Sequence, residues 1–296
     1  MPNVHAAPTL RRRRLGEALR NYRSAAGLSL DQAVEKMEGS WDGPKLSRIE
    51  NAKARISPKE VSVLLGEYGV TDPEIVAALE ELARTAGRTG WWTAYGGAVP
   101  QHLQDTISAQ DDAESIRQYH PTAIPGLLQI GAYAREITAA TAFNLPPEEH
   151  AAIVEVRIAR QAILTRPRNP VKYWAVIHES LLMQRFASHP SLMREQLRHL
   201  LDMADLPNIT IQVMPLTAGA HPGASGNLTI TQFPKPWPAL ISVENRHDMR
   251  YQEDDAEETK LYGEYFDRIV ASALPADQSR ETIRKHMEGI GHEHHP

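Results

Sequence analysis

Between residues 15 and 83 the apolar positions recur at helical spacing, in short runs separated by residues that cap helices. The first apolar face consists of Leu15, Leu19, Tyr22 and Ala26. Gly27 follows this run as a stop signal. Ser29 and Gln32 then form a capping-box pair that opens a second apolar face. The spacing therefore predicts one helix that ends before Gly27 and another that begins after Ser29.

The third run predicts a short helix with a basic polar face. Asp42 is its expected N-cap, and Pro44 falls in the first turn, where a missing N–H costs nothing. Leu46 and Ile49 point inward. The outward side chains are Pro44, Lys45, Ser47, Arg48 and Asn51. A helix of this shape fits the major groove of double-stranded DNA, so base reading is expected from Pro44, Lys45, Ser47 and Arg48.

Two further helix starts follow the same chemistry. Ser57 begins a second capping box with Glu60, and Asp72 opens a fifth helix. The inward face of the fourth helix consists of Val61, Leu64, Leu65 and Tyr68, with Gly69 just past its end. Residues 15–87 are therefore predicted to form an all-α helix-turn-helix domain of five helices.

Beyond residue 110 the periodicity becomes mixed. Strand patterns cover 171–178, 209–213, 227–233, 239–244 and 249–252. Helical patterns cover 111–119, 129–141, 147–165, 190–204 and 255–273. The last three strands follow one another closely, which favours antiparallel pairing. We expect residues 111–288 to form an α+β domain with an antiparallel sheet of about five strands, and residues 289–296 to be a loose tail.

A transition segment, residues 88–110, separates the two predicted domains. Its glycines and Pro100 break the helical pattern. Trp91, Trp92 and Tyr95 are nevertheless too apolar for a free linker. We expect these aromatic side chains to pack onto the second domain.

Charge separates the two ends of the 296-residue chain. Residues 1–55 hold 11 Lys or Arg and 6 Asp or Glu, a net charge of +5, within a chain of net charge −5. The remainder therefore carries −10, and attraction to phosphate is concentrated at one end. Residues 1–14 are read as a basic arm that follows the DNA backbone or enters the minor groove through Arg11, Arg12, Arg13 and Arg14. The alternative is a solvated basic start to a helix. Further backbone contacts are expected from Asn51, Lys53 and Arg55.

Several functional classes are disfavoured. The chain has no cysteine, hence no disulfide or thiolate metal site. It lacks the apolar core of a signal peptide and any apolar run of ~20 residues, so we expect a cytoplasmic protein without a membrane partner. His178–Leu182 begins like a zinc-protease helix, but Leu182 occupies the place of the second histidine. We therefore expect no enzyme, no metal and no cofactor, and a mobile tail around His292, His294 and His295.

Leu46–Asn51 is the run that identifies a family. Residues 15–69 resemble the xenobiotic-response-element helix-turn-helix family, which includes the phage lambda and 434 repressors. The resemblance implies a five-helix domain that binds a DNA operator, usually as a homodimer. Three features depart from the family: a turn at Met37–Asp42 that is about two residues longer, Ala52 where Gly is usual, and Gly43-Pro44 where Gln is frequent.

The second domain also resembles a known group. In actinobacterial regulators the same helix-turn-helix precedes a domain of undetermined function. The matching residues are Gly90-Trp91-Trp92, Ile124-Pro125-Gly126-Leu127-Leu128-Gln129, Tyr133-Ala134-Arg135, Arg157, Ala159-Arg160-Gln161, His221-Pro222-Gly223 and Val243-Glu244. The resemblance implies a transcriptional regulator that is often encoded beside a small partner protein.

Three functions remain open at this point. The leading one is a sequence-specific transcriptional regulator whose DNA-bound homodimer is modulated by a small partner protein. The second is a small-molecule-responsive repressor with an effector pocket in the second domain. The third is an interaction protein that does not read DNA. The candidate effector or partner site consists of Trp92, Arg157, Arg160, His221 and Glu244. A structural ion pair would also explain Arg157 and Arg160 beside Glu244. The segment Gly219–Gly226 is either a loop that covers a ligand or a plain connection between strands.

Overall fold

The chain divides into two compact units, which are described separately. The computed structural model describes residues 9–35, 37, 41–87, 90–245, 248–252 and 256–292, without the side chains of 244–252, 256, 258, 291 and 292. The first unit comprises Met1–Ala94 and Leu103–Ser108, and the second comprises Tyr95–His102 and Ala109–Pro296. Residues 103–108, which the sequence analysis placed in the transition segment, thus belong to the first unit.

The five helices predicted for the first unit all form. They are α1 (Leu10–Ala25), α2 (Leu30–Val34), α3 (Gly43–Glu50), α4 (Pro58–Glu67) and α5 (Pro73–Thr85). The capping boxes at Ser29 and Ser57 both close. Asp42 and Asp72 cap α3 and α5, as predicted. Local hydrogen bonding thus sets each of these helix starts. Most of the predicted turn before α3 lies outside the described residues.

The arginine run Arg11–Arg14 lies inside α1 rather than in an arm before it. Thr9 caps the helix, and its hydroxyl donates to the carbonyl oxygen of Ala86 at 2.8 Å. Arg13 Nη2 pairs with Asp105 Oδ2 at 2.6 Å, and the Asp105 side chain is buried. The expected arm is therefore corrected to a basic helix start, because the cap and these contacts hold the run in place.

Three helices of the first unit end in a residue with left-handed backbone conformation. Gly27 and Gly69 have φ values of 70° and 77°, which confirms them as stop residues, and Ala52 has φ of 58°. In each case the next amide donates to the carbonyl five positions back along the chain: Leu28 to Arg23, Lys53 to Arg48, and Val70 to Leu65. The segment after α3 therefore turns away sharply even though it has Ala where the family usually has Gly.

The first unit is held together by the predicted apolar faces. The buried side chains include Leu15, Leu19, Leu46, Ile49, Val61, Leu64, Leu65, Tyr68 and Leu79. Ala26, predicted on the inner face of α1, is exposed because it is the C-cap residue. Gly16 lets α1 cross the end of α3 closely. A Cβ there would lie 2.5 Å from the carbonyl oxygen of Glu50 and 2.8 Å from that of Ile49.

The second unit is an α+β domain with more elements than the sequence predicts. Its strands are β1 (Ser115–His120), β2 (Lys172–His178), β3 (Ile209–Met214), β4 (Leu228–Gln232), β5 (Leu240–Asn245) and β6 (Asp248–Gln252). Its helices are α7 (Gly131–Thr141), α8 (Pro147–Ala159), α9 (Leu192–Ala204), α10 (Ala256–Ser272) and α11 (Ala276–His292), and α6 (Gln101–Asp112) is shared with the first unit.

Two local predictions in this unit are wrong. Residues 111–119, predicted to be helical, contain the strand β1, and the helix α6 ends just before it. The helix α11 was not predicted, and it includes residues 289–292 of the expected tail. Both errors have one cause: β1 and α11 depend on packing against elements distant in sequence. β1 lies between β2 and β4, and α11 packs on α9 and β3.

The sheet is mixed rather than antiparallel, and its six strands have the order β3-β2-β1-β4-β5-β6. β1, β2 and β3 run parallel, whereas β4, β5 and β6 add antiparallel neighbours. The close spacing of the last three strands correctly predicted their antiparallel pairing. Strand spacing could not predict the parallel pairing of β1, β2 and β3, because long helical crossovers join these strands.

The connection between β3 and β4 crosses the carboxyl ends of the parallel strands. β3 ends opposite His178, the last residue of β2, and β4 begins opposite Tyr119, near the end of β1. The crossing is visible in two contacts. The Leu216 amide donates to Glu179 Oε2 at 2.8 Å, and the ring of His221 meets that of Tyr119 edge-on at 5.9 Å.

Candidate nucleic-acid interface

The helix α3 is anchored by its apolar face and by its own cap. Leu46 and Ile49 are buried, as predicted. The Lys45 amide donates to Asp42 Oδ1 at 2.6 Å, which satisfies one of the free N–H groups at the helix start. Gly43 is buried too, and a Cβ there would lie 2.2 Å from the Asp31 carboxylate. A side chain at this position would therefore require the Asp31 carboxylate of α2 to move.

The opposite face of α3 carries the four residues predicted to read bases. Pro44 and Arg48 are exposed, and Lys45 and Ser47 are half-buried. All four therefore lie on the outer surface of the helix, as their spacing predicts. The guanidinium of Arg48 has the geometry for a bidentate contact with guanine.

Lys45 is held in place by two neighbours. Its Nζ lies 3.9 Å from the centre of the Trp41 ring and 3.5 Å from Glu60 Oε1. Burial alone would raise the pKa of Glu60. Hydrogen bonds from Ser57 and the charge of Lys45 outweigh burial and hold that pKa below its ordinary value. Lys45 must therefore leave a carboxylate and an aromatic ring before it can contact a base.

A buried ion pair fixes the end of α3. Arg23 Nε and Nη2 donate to the two carboxylate oxygens of Glu50 at 2.6 and 2.8 Å, a bidentate arrangement. The hydrogen bond to Glu50 raises the pKa of Arg23. Burial, and then the charge of Glu50, raises the pKa of Tyr68. The pair joins α1 to the recognition helix in the interior, where removal of one partner leaves an uncompensated charge.

The residues predicted to contact the DNA backbone fall into two groups. Asn51, Lys53 and Arg55 are exposed after α3, on the segment that turns at Ala52. Asn51 is already oriented, because its Oδ1 accepts from Arg20 Nη2 at 2.8 Å and its Nδ2 donates to the Ser47 carbonyl at 2.7 Å. The second group, Arg11 to Arg14, lies in the first turns of α1, with Arg14 buried.

Sequence reasoning missed four residues that organise this face: Gly16, Arg20, Trp41 and Glu60. Arg20 orients Asn51, Trp41 and Glu60 hold Lys45, and Gly16 allows α1 to cross α3. Glu60 was assigned only to its capping box, yet its second oxygen faces Lys45. The one available signal was Trp41, an aromatic residue next to the N-cap of a basic helix.

The candidate effector residues of the second unit are dispersed. Arg160 is buried, with Nη2 against Gly126, where a Cβ would lie 2.0 Å from it. The pKa of Tyr173, raised by burial, is lowered in part by Arg160. Tyr173 and His178, the neighbour of His221, lie five residues apart along β2, roughly 16 Å. Arg160 and His221 are therefore not gathered into one pocket.

The remaining members of that group are placed as follows. Arg157 lies on α8. Trp92 belongs to the first unit and is buried, with its ring edge-on to Trp91 at 5.9 Å. The side chain of Glu244 lies outside the described residues, so its pairing with the arginines stays a prediction. The packing of Trp92 onto the second domain also stays a prediction.

The motif Ile124–Gln129 acts as a hydrogen-bonding centre of the second unit. Gln129 Nε2 donates to the Ile124 carbonyl at 2.7 Å, and Gln161 Nε2 donates to the carbonyls of Gly126 and Gln129 at 3.0 and 2.7 Å. Gln196 Nε2 donates to the Leu128 carbonyl at 2.7 Å. The motif thus satisfies buried backbone groups where no regular ladder exists, a structural role for residues that the sequence singled out.

Around His221 the second unit carries a small polar cluster. Burial, and then the charge of His178, lowers the pKa of His221. His286 Nε2 lies 3.2 Å from Glu179 Oε1. Within the described side chains, no group of three or more His, Asp or Glu is arranged to hold a metal ion. No described helix is both long and apolar enough to cross a membrane.

Two family models match the chain. A helix-turn-helix domain matches residues 14–79, which contain most of α1, all of α2 to α4 and about half of α5. A domain of unknown function (DUF5753) matches residues 103–285, more than half of the chain. No curated protein and no solved structure matches. The helix-turn-helix match indicates a DNA-binding regulator, in agreement with the resemblance to the xenobiotic-response-element type. The helix caps, the buried core and the family model thus agree on an N-terminal helix-turn-helix domain. The chain belongs to the DUF5753 family, with this domain at its N-terminus.

Proposed function

We propose that this protein is a sequence-specific transcriptional regulator in which α3 enters the major groove of a DNA operator. One observation carries the proposal: the exposed face of α3 presents Arg48 beside Lys45 and Ser47, while its inner face is fixed by Leu46, Ile49 and the Glu50 ion pair. A rigidly held helix whose polar face is directed to solvent suits direct reading of base edges.

The test is selection of bound sequences from random DNA by the full-length protein and by Arg48→Ala. A bidentate Arg–guanine contact discriminates by ~1–3 kcal/mol, so the variant should lose preference at one base position per half-site. Lys53 is proposed to contact the DNA backbone, so Lys53→Ala should lower the affinity for all sequences alike and reduce the salt dependence of binding. An unchanged preferred sequence in Arg48→Ala would contradict the placement of α3. An absence of salt-dependent DNA binding would favour the third function, an interaction protein that does not read DNA.

In the leading version the second domain modulates the DNA-bound homodimer through a small partner protein. Support comes from charge, since residues 109–296 hold 24 Asp or Glu and 18 Lys or Arg, a net charge of −6 that would be repelled along the duplex. An acidic domain of this kind projects away from phosphates and leaves a surface available for another protein.

A small-molecule-responsive repressor is the second candidate, favoured by the crossing of Leu216 and His221 over the carboxyl ends of β1 and β2. Ligands of open α/β sheets bind at such edges. Thermal-shift screening of a metabolite library separates the two versions. Only the small-molecule version predicts a metabolite that raises the unfolding temperature of the wild type but not that of His178→Ala.

A further inference from the structure

The first unit contains a cavity of about 130 Å³ beside the segment that follows α3. Its apolar floor consists of Leu15, Ile49 and Ile56, and its cationic lining of Arg12, Arg55 and Arg84. Ile49 belongs to α3, so an occupant of the cavity would contact the end of that helix. The space is several times what one water molecule requires.

Arg12 contributes an unsatisfied hydrogen-bond donor to the lining of this cavity. Its side chain is half-buried, and among the described residues no atom accepts a hydrogen bond from its buried Nε. Burial, and then the positive charge of Arg55, lowers the pKa of Arg12. Both effects disfavour the cation, and within the described part of the chain no carboxylate forms an ion pair with Arg12. A partly desolvated guanidinium beside another cation is an unfavourable arrangement unless an anion joins it.

Arg55 brings the second guanidinium to the same cavity. A Cβ at Gly87 would lie 3.6 Å from Arg55 Cζ, so the guanidinium passes over this glycine at the rim. Arg84, the third cation of the lining, already pairs with Glu81. Arg12 and Arg55 are therefore the two cations of the lining for which the described residues supply no carboxylate.

We propose that Arg12 and Arg55 form a binding site for a phosphate-class oxyanion in the first unit. Two guanidinium groups offer planar N–H pairs that match the oxygens of a tetrahedral anion. The anion would supply the acceptor that Arg12 Nε lacks and neutralise the repulsion between the two side chains. The site does not depend on which bases α3 reads, so it can be tested apart from the proposed function.

The experiment is calorimetric titration of the full-length protein with inorganic phosphate, with ionic strength kept constant by chloride. We expect saturable binding of one phosphate per chain, weakened at least tenfold in Arg12→Gln and in Arg55→Gln. The matched control is Lys59→Gln, which removes one exposed cation of the same unit outside the cavity lining and should bind phosphate as the wild type does.

Thermal unfolding of the same proteins gives an independent readout. In chloride alone, Arg55→Gln should unfold at a higher temperature than the wild type because one of two repelling cations is gone. In saturating phosphate the order should reverse, because only the wild type gains from the bound ligand. Absence of saturable heat in the wild type, or equal phosphate binding by wild type and Arg55→Gln, would overturn the site.

A free anion and a phosphodiester group of the operator have the same chemistry, and a second titration separates them. Operator binding is measured with and without saturating phosphate at constant ionic strength. Reduced affinity in the wild type but not in Arg55→Gln assigns the site to the DNA backbone. Unchanged or increased affinity assigns it to a free ligand that contacts the end of α3.

Discussion

Arg48 and Lys45 share one face of α3, yet their side chains start from different states. Lys45 lies against Trp41 and Glu60, whereas Arg48 is exposed. A base contact by Arg48 costs mainly side-chain entropy, whereas one by Lys45 also breaks an existing ion pair. The difference could not be predicted from sequence, because Lys45 and Glu60 are 15 residues apart and meet only in the folded unit.

The Lys45–Glu60 contact predicts a pH dependence of stability. The pKa of Glu60 is depressed in the folded protein, so its contribution is present above the unfolded pKa and is lost as pH falls through the lower folded value. Replacing Glu60 with Gln removes the charge but keeps a side chain that can complete the capping box. We expect Glu60→Gln to lower the free energy of unfolding by less than about 1 kcal/mol near pH 7, since the group is a third exposed.

The measurement is urea unfolding of wild type and Glu60→Gln from pH 7 downward. The difference between the two proteins should shrink below about pH 4.5 and vanish once Glu60 is protonated. A difference that stays constant across this range would mean that the charge of Glu60 contributes nothing to stability.

At the scale of elements, the crossing of α1 over α3 depends on Gly16. A Cβ at this position meets backbone atoms of α3, which cannot rotate away as a side chain would. Gly16→Ala should therefore lower the free energy of unfolding by about 1–3 kcal/mol and displace α3. DNA affinity should fall even under conditions where the variant is fully folded.

Gly66→Ala is the matched control for this substitution. Gly66 is also a helical glycine, but it is exposed in α4 and has no atom within 4 Å of an added Cβ. The methyl group should raise the free energy of unfolding by roughly 0.5–1 kcal/mol through helix propensity. Equal effects of the two substitutions in denaturant unfolding would contradict a role for the close crossing.

The elements that sequence could predict are those fixed by neighbouring residues. Ser29, Asp42, Ser57 and Asp72 each form a hydrogen bond within three residues, so their helices were identified from short patterns. β1 was misread because its strand state depends on partners at 172–177 and 228–232. The same limit applies to the site, where outward positions on α3 were predicted but the partners of Lys45 were not.

At the scale of the whole molecule, the first unit extends beyond its helix-turn-helix. Leu103–Ser108 belongs to it, and Asp105 in this segment pairs with Arg13. A fragment of residues 1–87 would leave Arg13 without this carboxylate. We expect a fragment of residues 1–112 to unfold at a higher temperature than 1–87, by an amount that Asp105→Asn largely removes.

Both fragments also test assembly. We propose that the protein is a homodimer in which the region after residue 88 supplies most of the interface, since such repressors bind paired half-sites about 10 base pairs apart. On an operator with two half-sites, each fragment should bind far more weakly than the full chain in gel-shift titrations. Equal affinity of residues 1–112 and the full chain would place the dimer interface in the first unit.

The central position of β1 has a consequence for synthesis of the chain. β1 is the earliest strand to be made, yet β2 follows about 50 residues later and β4 more than 100 residues later. At the ~5–20 residues per second of translation, one edge of β1 stays open for several seconds after it leaves the ribosome. An open strand edge invites pairing with other chains. Nascent chains stalled between β3 and β4 should therefore be the species of this protein that aggregates most readily.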